Sequence, residues 1–341
     1  MKLNIIEVDG LTKKFGDLVA VDHVSFQVKR KEIFGFLGPN GAGKTTTIRM
    51  LCTLTRPTEG SAAVAGHDIV READEVREHV GLVSEKMIMY DRLTAYENLK
   101  LFGKLYGIPS KLLEERIDEL LGLVHMSKWR NHQIGTFSSG MRQRINLIRG
   151  LIHLPEVLFL DEPTLGLDPQ SALEVREFIG RINDEQETSI ILTTHMMLEA
   201  DMLCDRVGII DYGRIVALDT PTELKTQVSG SRATVLEFDI PNLSQEMILK
   251  IEALDCTEKL SQETPTQLKV HAKGQDAFDN IVGAVRSDGG RIAAVRNLDP
   301  TLEDVFLSLT GHEVRDAVTE KVTTTEHRHD MGSQRRRARV R

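Results

Sequence analysis

The residues best suited to chemistry lie in Gly38-Pro39-Asn40-Gly41-Ala42-Gly43-Lys44-Thr45-Thr46, which fits the phosphate-loop spacing G-x-x-x-x-G-K-[ST]. Glycines let a backbone curl around a phosphate with several N–H groups facing inward. A following helix N-terminus adds partial positive charge. In such a loop Lys44 reaches the β- and γ-phosphates of a nucleotide, and the Thr45 hydroxyl is a ligand for Mg²⁺. Asp161 and Glu162 form a second constellation. Asp161 is placed to hold Mg²⁺, directly or through water, and Glu162 to polarise the water that attacks a γ-phosphate. His195 is a third candidate, able to hydrogen-bond a γ-phosphate or the attacking water.

These residues need elements that bring them to one place. Ile33-Phe34-Gly35-Phe36-Leu37 before the loop predicts a buried strand, and Thr46 to Leu51 after it predicts a helix start. Val157-Leu158-Phe159-Leu160 and Ser189 to Thr194 predict two more buried strands, ending at Asp161 and His195. In sheets of parallel strands ligands sit at the strands' carboxyl ends, so one edge should collect all three groups. Asp168-Pro169 starts a helix with Val175, Phe178, Ile179 and Ile182 as its buried stripe. Alternation over 3–8 and 24–28 predicts an antiparallel layer beside the phosphate-loop strand.

From about residue 94 to 150 the period becomes helical, with Leu112, Leu113, Ile117, Leu120, Leu121 and Val124 on one face. Ser138 or Ser139 caps the last helix of this insertion. Val207–Ile210 and Arg214–Ala217 predict a hairpin. Past a boundary at Pro221 to Ser231, the order from Thr234 to Asn297 is β-α-β-β-α-β, the ferredoxin-like split pattern, with a helix over 301–309 after it. His271 and Cys256 are solitary there, which suits a regulatory or docking module. The predicted domains are therefore 1–225, an α/β nucleotide-binding domain, and 230–311, a small α+β domain. Residues 312–341 are charged and lack an apolar period, predicting a disordered tail.

The chain has 341 residues, 40% hydrophobic and 28% charged, which suits a globular protein of two or three domains. No apolar run approaches the roughly 20 residues of a membrane span, and Met1-Lys2-Leu3-Asn4 leads into strand-like sequence rather than a signal peptide. A cytosolic location is expected, with any spanning left to another chain. Cys52, Cys204 and Cys256 lie far apart, without disulfide or zinc spacing. Net charge is −8 even though the last ten residues carry five Arg, so no specific nucleic-acid partner is expected. Those arginines suit either a solvated tail or contact with anionic lipid or nucleic acid.

Over roughly 3–225 the chain resembles the ATP-binding subunits of ABC transporters. The phosphate loop matches Walker A, and Phe137-Ser138-Ser139-Gly140-Met141-Arg142-Gln143-Arg144 resembles the ABC signature. Val157 to Glu162 resembles Walker B with its catalytic glutamate, Leu165-Gly166-Leu167-Asp168 the D-loop, and Thr193-Thr194-His195 the switch-histidine segment. Phe15 matches the aromatic residue that stacks on adenine. Asp299 to Gly311 resembles the ending of daunorubicin-resistance-type exporter ATPases, which pair with a separate permease.

The resemblance implies a P-loop NTPase of ABC type that hydrolyses ATP with Mg²⁺. It implies a head-to-tail homodimer in which Ser138, Ser139 and Gly140 of one copy cover the ATP held by the other. It also implies a membrane permease partner on the inner face of the membrane, touched by the insertion beginning near Thr94. Glu85 stands where the family has a Gln that links Mg²⁺ to the membrane partner, and Ser139 where it has a glycine. A soluble ABC-type ATPase acting on a ribosome or nucleic acid is the alternative, as is a nucleotide-binding switch without turnover. Direction of transport rests on the C-terminal resemblance alone, and the substrate has no signal.

Overall fold

Apolar runs bounded by turn residues become strands, and amphipathic stretches become the helices that cover them. The computed structural model describes residues 4–230, 233–274, 276–298 and 300–311. They form two compact units that divide between Ala217 and Leu218. The tail expected over 312–341 lies outside the described residues.

The first unit opens with β1 (Asn4–Phe15) and β2 (Leu18–Lys29), antiparallel and paired from Asn4↔Lys29 to Phe15↔Leu18 with register shifts along the way. β3 (Ile33–Leu37) is buried at every position and runs into the phosphate loop and helix α1 (Lys44–Leu51). β4 (Glu59–Val64) and β5 (His67–Asp68) complete an antiparallel sheet of order β2-β1-β4-β5. Phe26 of β2 stacks on Phe34 and meets Phe36 edge-on at ring distances of 5.3 and 5.0 Å, fastening this sheet onto β3.

Helix α2 (Ala73–His79) leads into β6 (Val80–Val83). The helical layer comes next as α3 (Ala95–Leu105), α4 (Ser110–Leu123) and α5 (Ser139–Leu151). A capping box between Thr94 and Glu97 starts α3. On α4, Leu113, Ile117, Leu120 and Leu121 are buried and Leu112 is exposed. Those four already fill a stripe of three- and four-residue steps, which leaves Leu112 on its flank.

β7 (Val157–Asp161), α6 (Pro169–Gln186), β8 (Ser189–Thr194), α7 (Met197–Leu203), β9 (Arg206–Asp211) and β10 (Arg214–Asp219) complete the unit. Its six-stranded sheet has the order β10-β9-β3-β8-β7-β6, and β6, β7, β8, β3 and β9 run parallel. The wholly buried β3, β7 and β8 lie in its middle. Asp168 caps α6, accepting from Ser171 N, with Pro169 in the first helical position.

The second unit begins with α8 (Pro221–Gly230) and β11 (Ala233–Asp239). The chain continues through α9 (Gln245–Glu252), β12 (Thr257–Gln262), β13 (Gln267–Lys273), α10 (Ala277–Ser287), β14 (Ala294–Leu298) and α11 (Leu302–Thr310). The sheet is antiparallel, of order β12-β13-β11-β14. Leu236, Phe238, Leu268 and Val270 face one core with Ile248 and Ile251 of α9 and Ile281 and Val285 of α10. Side chains alternate along a strand, so Lys269 and His271 take the opposite face. Asp304 of α11 meets both there, 3.4 Å from Lys269 Nζ and 3.5 Å from His271 Nε2. α8 packs on α11 and β11, with Leu224 buried.

Candidate active site

Parallel pairing sets the register that assembles the chemistry. Asp161 of β7 lies beside Thr193 of β8, and Thr194 beside Leu37 of β3. Glu162, His195 and Gly38 each come directly after one of these strand ends, so all three leave the sheet at one edge. Gly43, at the N-cap of α1, has φ +107°, and a Cβ there would lie 2.6 Å from the Ala20 carbonyl oxygen. Only glycine fits that turn. No side chain caps α1 and no acid sits in its first turn, so its leading N–H groups face the loop.

Lys44 is 5% exposed. Its Nζ donates to the carbonyls of Gly38 (2.6 Å) and Pro39 (3.2 Å) and lies 3.3 Å from Glu162 Oε1. Burial lowers the Lys44 pKa, and the charges of Glu162 and Asp161 offset part of that fall. Asp161 Oδ1 accepts from Thr45 Oγ1 at 2.9 Å and from Thr193 Oγ1 at 2.6 Å. Three hard oxygens thus meet at one point, the donor chemistry Mg²⁺ prefers.

Glu162 sits in the left-handed region at φ +51°. A non-glycine residue there carries a cost of about 1–2 kcal/mol. Two bonds to Thr193 hold it in place: Glu162 N donates to the Thr193 carbonyl (3.1 Å) and reaches its hydroxyl oxygen (3.2 Å). Its carboxylate spans Lys44 on one oxygen and His195 Nδ1, at 2.9 Å, on the other. Lys44, Thr45, Asp161, Glu162 and His195 therefore form one connected group.

The remaining candidates lie outside it. Phe15 is 52% exposed at the end of β1, with Lys13 Nζ 4.9 Å above its ring. Glu85 comes just after β6 at the same sheet edge, exposed, and makes no hydrogen bond to Thr45 or Asp161 among the described residues. Ser138 caps α5, accepting from Met141 N at 3.3 Å, and Ser139 is the first residue of that helix. Among the described residues, Ser138, Ser139 and Gly140 make no bond to the phosphate loop. Gly140 is buried against α6: a Cβ there would meet Ser171 Oγ at 2.4 Å. Its glycine is thus also required inside one chain, a constraint the motif alone does not show.

Thr193 is the connecting residue that motif reasoning leaves out of the site. Its signal in the sequence is the pair of threonines closing an otherwise apolar strand. Gln143 and Glu199 also belong here. Gln143 Nε2 donates to the Pro163 carbonyl at 2.7 Å, and Thr164 Oγ1 donates to Glu199 Oε1 at 2.9 Å. Both tie down the segment just after Glu162.

A glycine loop between a buried parallel strand and a helix, with a lysine, an Asp–Glu pair and a histidine at one sheet edge, defines a P-loop NTPase. The comparisons narrow the class. The family model for ABC transporters matches residues 21–165. The chain is 33% identical over 314 residues to the linearmycin resistance ATP-binding protein LnrL of Bacillus subtilis, covering 92% of this chain and 100% of that protein. It is 38% identical over 312 residues to the daunorubicin resistance ATP-binding protein DrrA3 of Streptomyces coeruleorubidus, covering 91% and 97%. The dimeric ATP-binding cassette MJ0796 in a post-hydrolysis state with ADP and Pi superposes with a TM-score of 0.57 at 24% identity, covering 63% of this chain and 98% of that one. The chain belongs to the ATP-binding proteins of ABC transporters, and it is an ATPase that binds ATP. No helix among the described residues is long and apolar enough to cross a membrane.

Proposed function

We propose that the chain is the motor subunit of an ABC exporter, pairing head-to-tail around two Mg-ATP and driving a separate membrane permease. The joining of Lys44, Asp161, Glu162 and His195 at one sheet edge carries this reading. Lys44 and the N–H groups of residues 38–46 hold the phosphates, and Phe15 stacks on adenine. Thr45 and Asp161 hold Mg²⁺, with Glu85 as a further ligand on the family pattern. Mg²⁺ neutralises charge on the β- and γ-phosphates when bound. Glu162 takes the proton of the attacking water, and His195 holds the carboxylate in line through Oε2.

Ser138, Ser139 and Gly140 close the partner's site. Support comes from the exposure of Ser138 and Ser139 at a helix N-terminus remote in bonding from the chain's own loop, and from the dimeric cassette of similar fold. Export rests on the relatives named for drug resistance. The permease would hold the protein at the inner face of the cell membrane. We read the unit ending at Ala217 as the nucleotide-binding domain and the unit from Leu218 as a ferredoxin-like regulatory or docking domain, supported by the antiparallel strand order β12-β13-β11-β14; the boundary expected at 225–230 falls inside α8, which packs with the second unit.

The test is steady-state turnover of the purified chain with Mg-ATP, wild type against Glu162→Gln, with light scattering for mass. Expected is a fall of about 10²–10³-fold, with the variant trapped as an ATP-dependent dimer. A wild-type protein that hydrolyses no ATP, even with membranes carrying its permease, overturns the motor reading.

A further inference from the structure

The segment Pro163-Thr164 connects Glu162 to the D-loop. It lies under two buried side chains from different helices. Gln143 of α5 donates to the Pro163 carbonyl at 2.7 Å and in turn accepts from Asn146 Nδ2 at 3.3 Å. Glu199 of α7, 1% exposed, accepts the Thr164 hydroxyl at 2.9 Å, and Thr164 is itself buried. α7 is joined back to β8, because Met196 N donates to Thr194 Oγ1 at 2.9 Å and Glu199 N to the Met196 carbonyl at 3.1 Å. Thr164 Oγ1 also lies 3.7 Å from Met196 Sδ. One carboxyl thus spans the segment after Glu162 and the helix after His195.

A buried acid with no cationic partner in hydrogen-bond contact is costly unless it does something. Glu199 Oε2 is buried, with no hydrogen-bond partner within normal distance among the described residues. Burial raises the Glu199 pKa, and the Glu162 charge pushes the same way, while the Thr194 and Thr164 hydroxyls and Arg176 offset part of the rise. A leucine would fill this volume more cheaply. What leucine lacks is an acceptor for Thr164.

We infer that Glu199 is a positioning residue for hydrolysis, gripping Thr164 so that Glu162 and the D-loop keep their geometry relative to His195. The inference rests on the reading of Glu162 as the hydrolytic base. Glu162 is poorly anchored by backbone preference, since its φ is left-handed. Its aim therefore depends on how the next two residues, Pro163 and Thr164, are held. Glu199 holds Thr164, and Gln143 holds Pro163 from the signature helix, so the segment is gripped from both sides.

The experiment compares Glu199→Gln, Glu199→Leu, Thr164→Val and the double variant Glu199→Leu/Thr164→Val in full-length protein, alongside Glu162→Gln. The readings are kcat, KM for Mg-ATP and ATP affinity of the monomer. Glu199→Gln keeps the acceptor and stays within about twofold of wild-type kcat. Glu199→Leu and Thr164→Val each lose about tenfold or more in kcat, with KM and monomer affinity unchanged, and the double variant is no worse than either. Wild-type kcat in Thr164→Val, a loss in Glu199→Gln equal to that in Glu199→Leu, or additive losses in the double variant overturns the inference. Thr164→Val carries the test if Glu199→Leu does not fold. If Glu162→Gln turns over like wild type, the functional reading fails first, whatever Glu199 does.

Discussion

Both units hold buried acids beside basic groups, and two of these clusters use similar ingredients to opposite ends. In the first, Glu162 meets Lys44 and His195, while Asp161 accepts from Thr45 and Thr193. In the second, Asp304 meets Lys269 and His271, with Thr301 behind it. Asp304 has its partners inside its own unit: the Thr301 amide and hydroxyl on one oxygen, the two bases on the other. That arrangement fastens α11 to β13. Lys44 instead spends its ammonium on carbonyls of a glycine loop, and Glu162 sits on strained backbone beside it. Groups held by exchangeable partners at a sheet edge can be recruited by a phosphate, whereas a closed triad holds structure.

The sharpest way to break this contrast is Lys44→Ala. It should weaken ATP binding by about 100-fold or more, because a charge-assisted contact to phosphate is lost, and leave unfolding of the C-terminal unit unchanged by calorimetry. Equal loss of C-terminal stability would show that the two clusters are not independent. The converse is Asp304→Ala, which leaves Lys269 and His271 without their acid and removes a capping box. It should cost the C-terminal unit about 3 kcal/mol, read by urea unfolding, with ATP affinity intact.

The smallest effect is a pH slope. Burial lowers the His271 pKa, with Asp304 opposing it. Burial works against ionised Asp304, yet Thr301, Lys269 and His271 hold its pKa below the usual carboxylate value. Both groups therefore bind protons less readily folded than unfolded. Stability from His271 is full above its unfolded value of about 6.5 and declines as pH falls through its folded value. That from Asp304 is full above about 3.9 and declines below it. His271→Gln should flatten the fall of C-terminal Tm below about pH 6.5 and leave the steeper acid limb. An unchanged slope would remove His271 from the triad.

Features are legible in the sequence to the extent that their signal is local. The phosphate loop, the strand ends at Asp161 and His195 and the cap at Asp168 are contiguous patterns, and each is found where its pattern predicts. β6 escapes such reading, because Val80-Gly81-Leu82-Val83 succeeds a charged helix with no turn residue between them. Its glycine is needed for close packing, since a Cβ would meet the Gly150 carbonyl oxygen at 2.2 Å. His271 is solitary in sequence but not in space. Asp304 lies 33 positions away, and only the sheet's second face brings them together. Glu199 and Thr164 are hidden for the same reason, 35 positions apart on neighbouring elements.

The covering of that second face bears on the order in which the chain can mature during synthesis. α8 emerges from the ribosome before any strand of its sheet, and α11 after all of them. The nucleotide-binding unit through Ala217 has by then been complete for most of a hundred residues of translation. A nascent protein could thus engage ATP while Leu224, Lys269 and His271 still wait for α11, the last clasp to close.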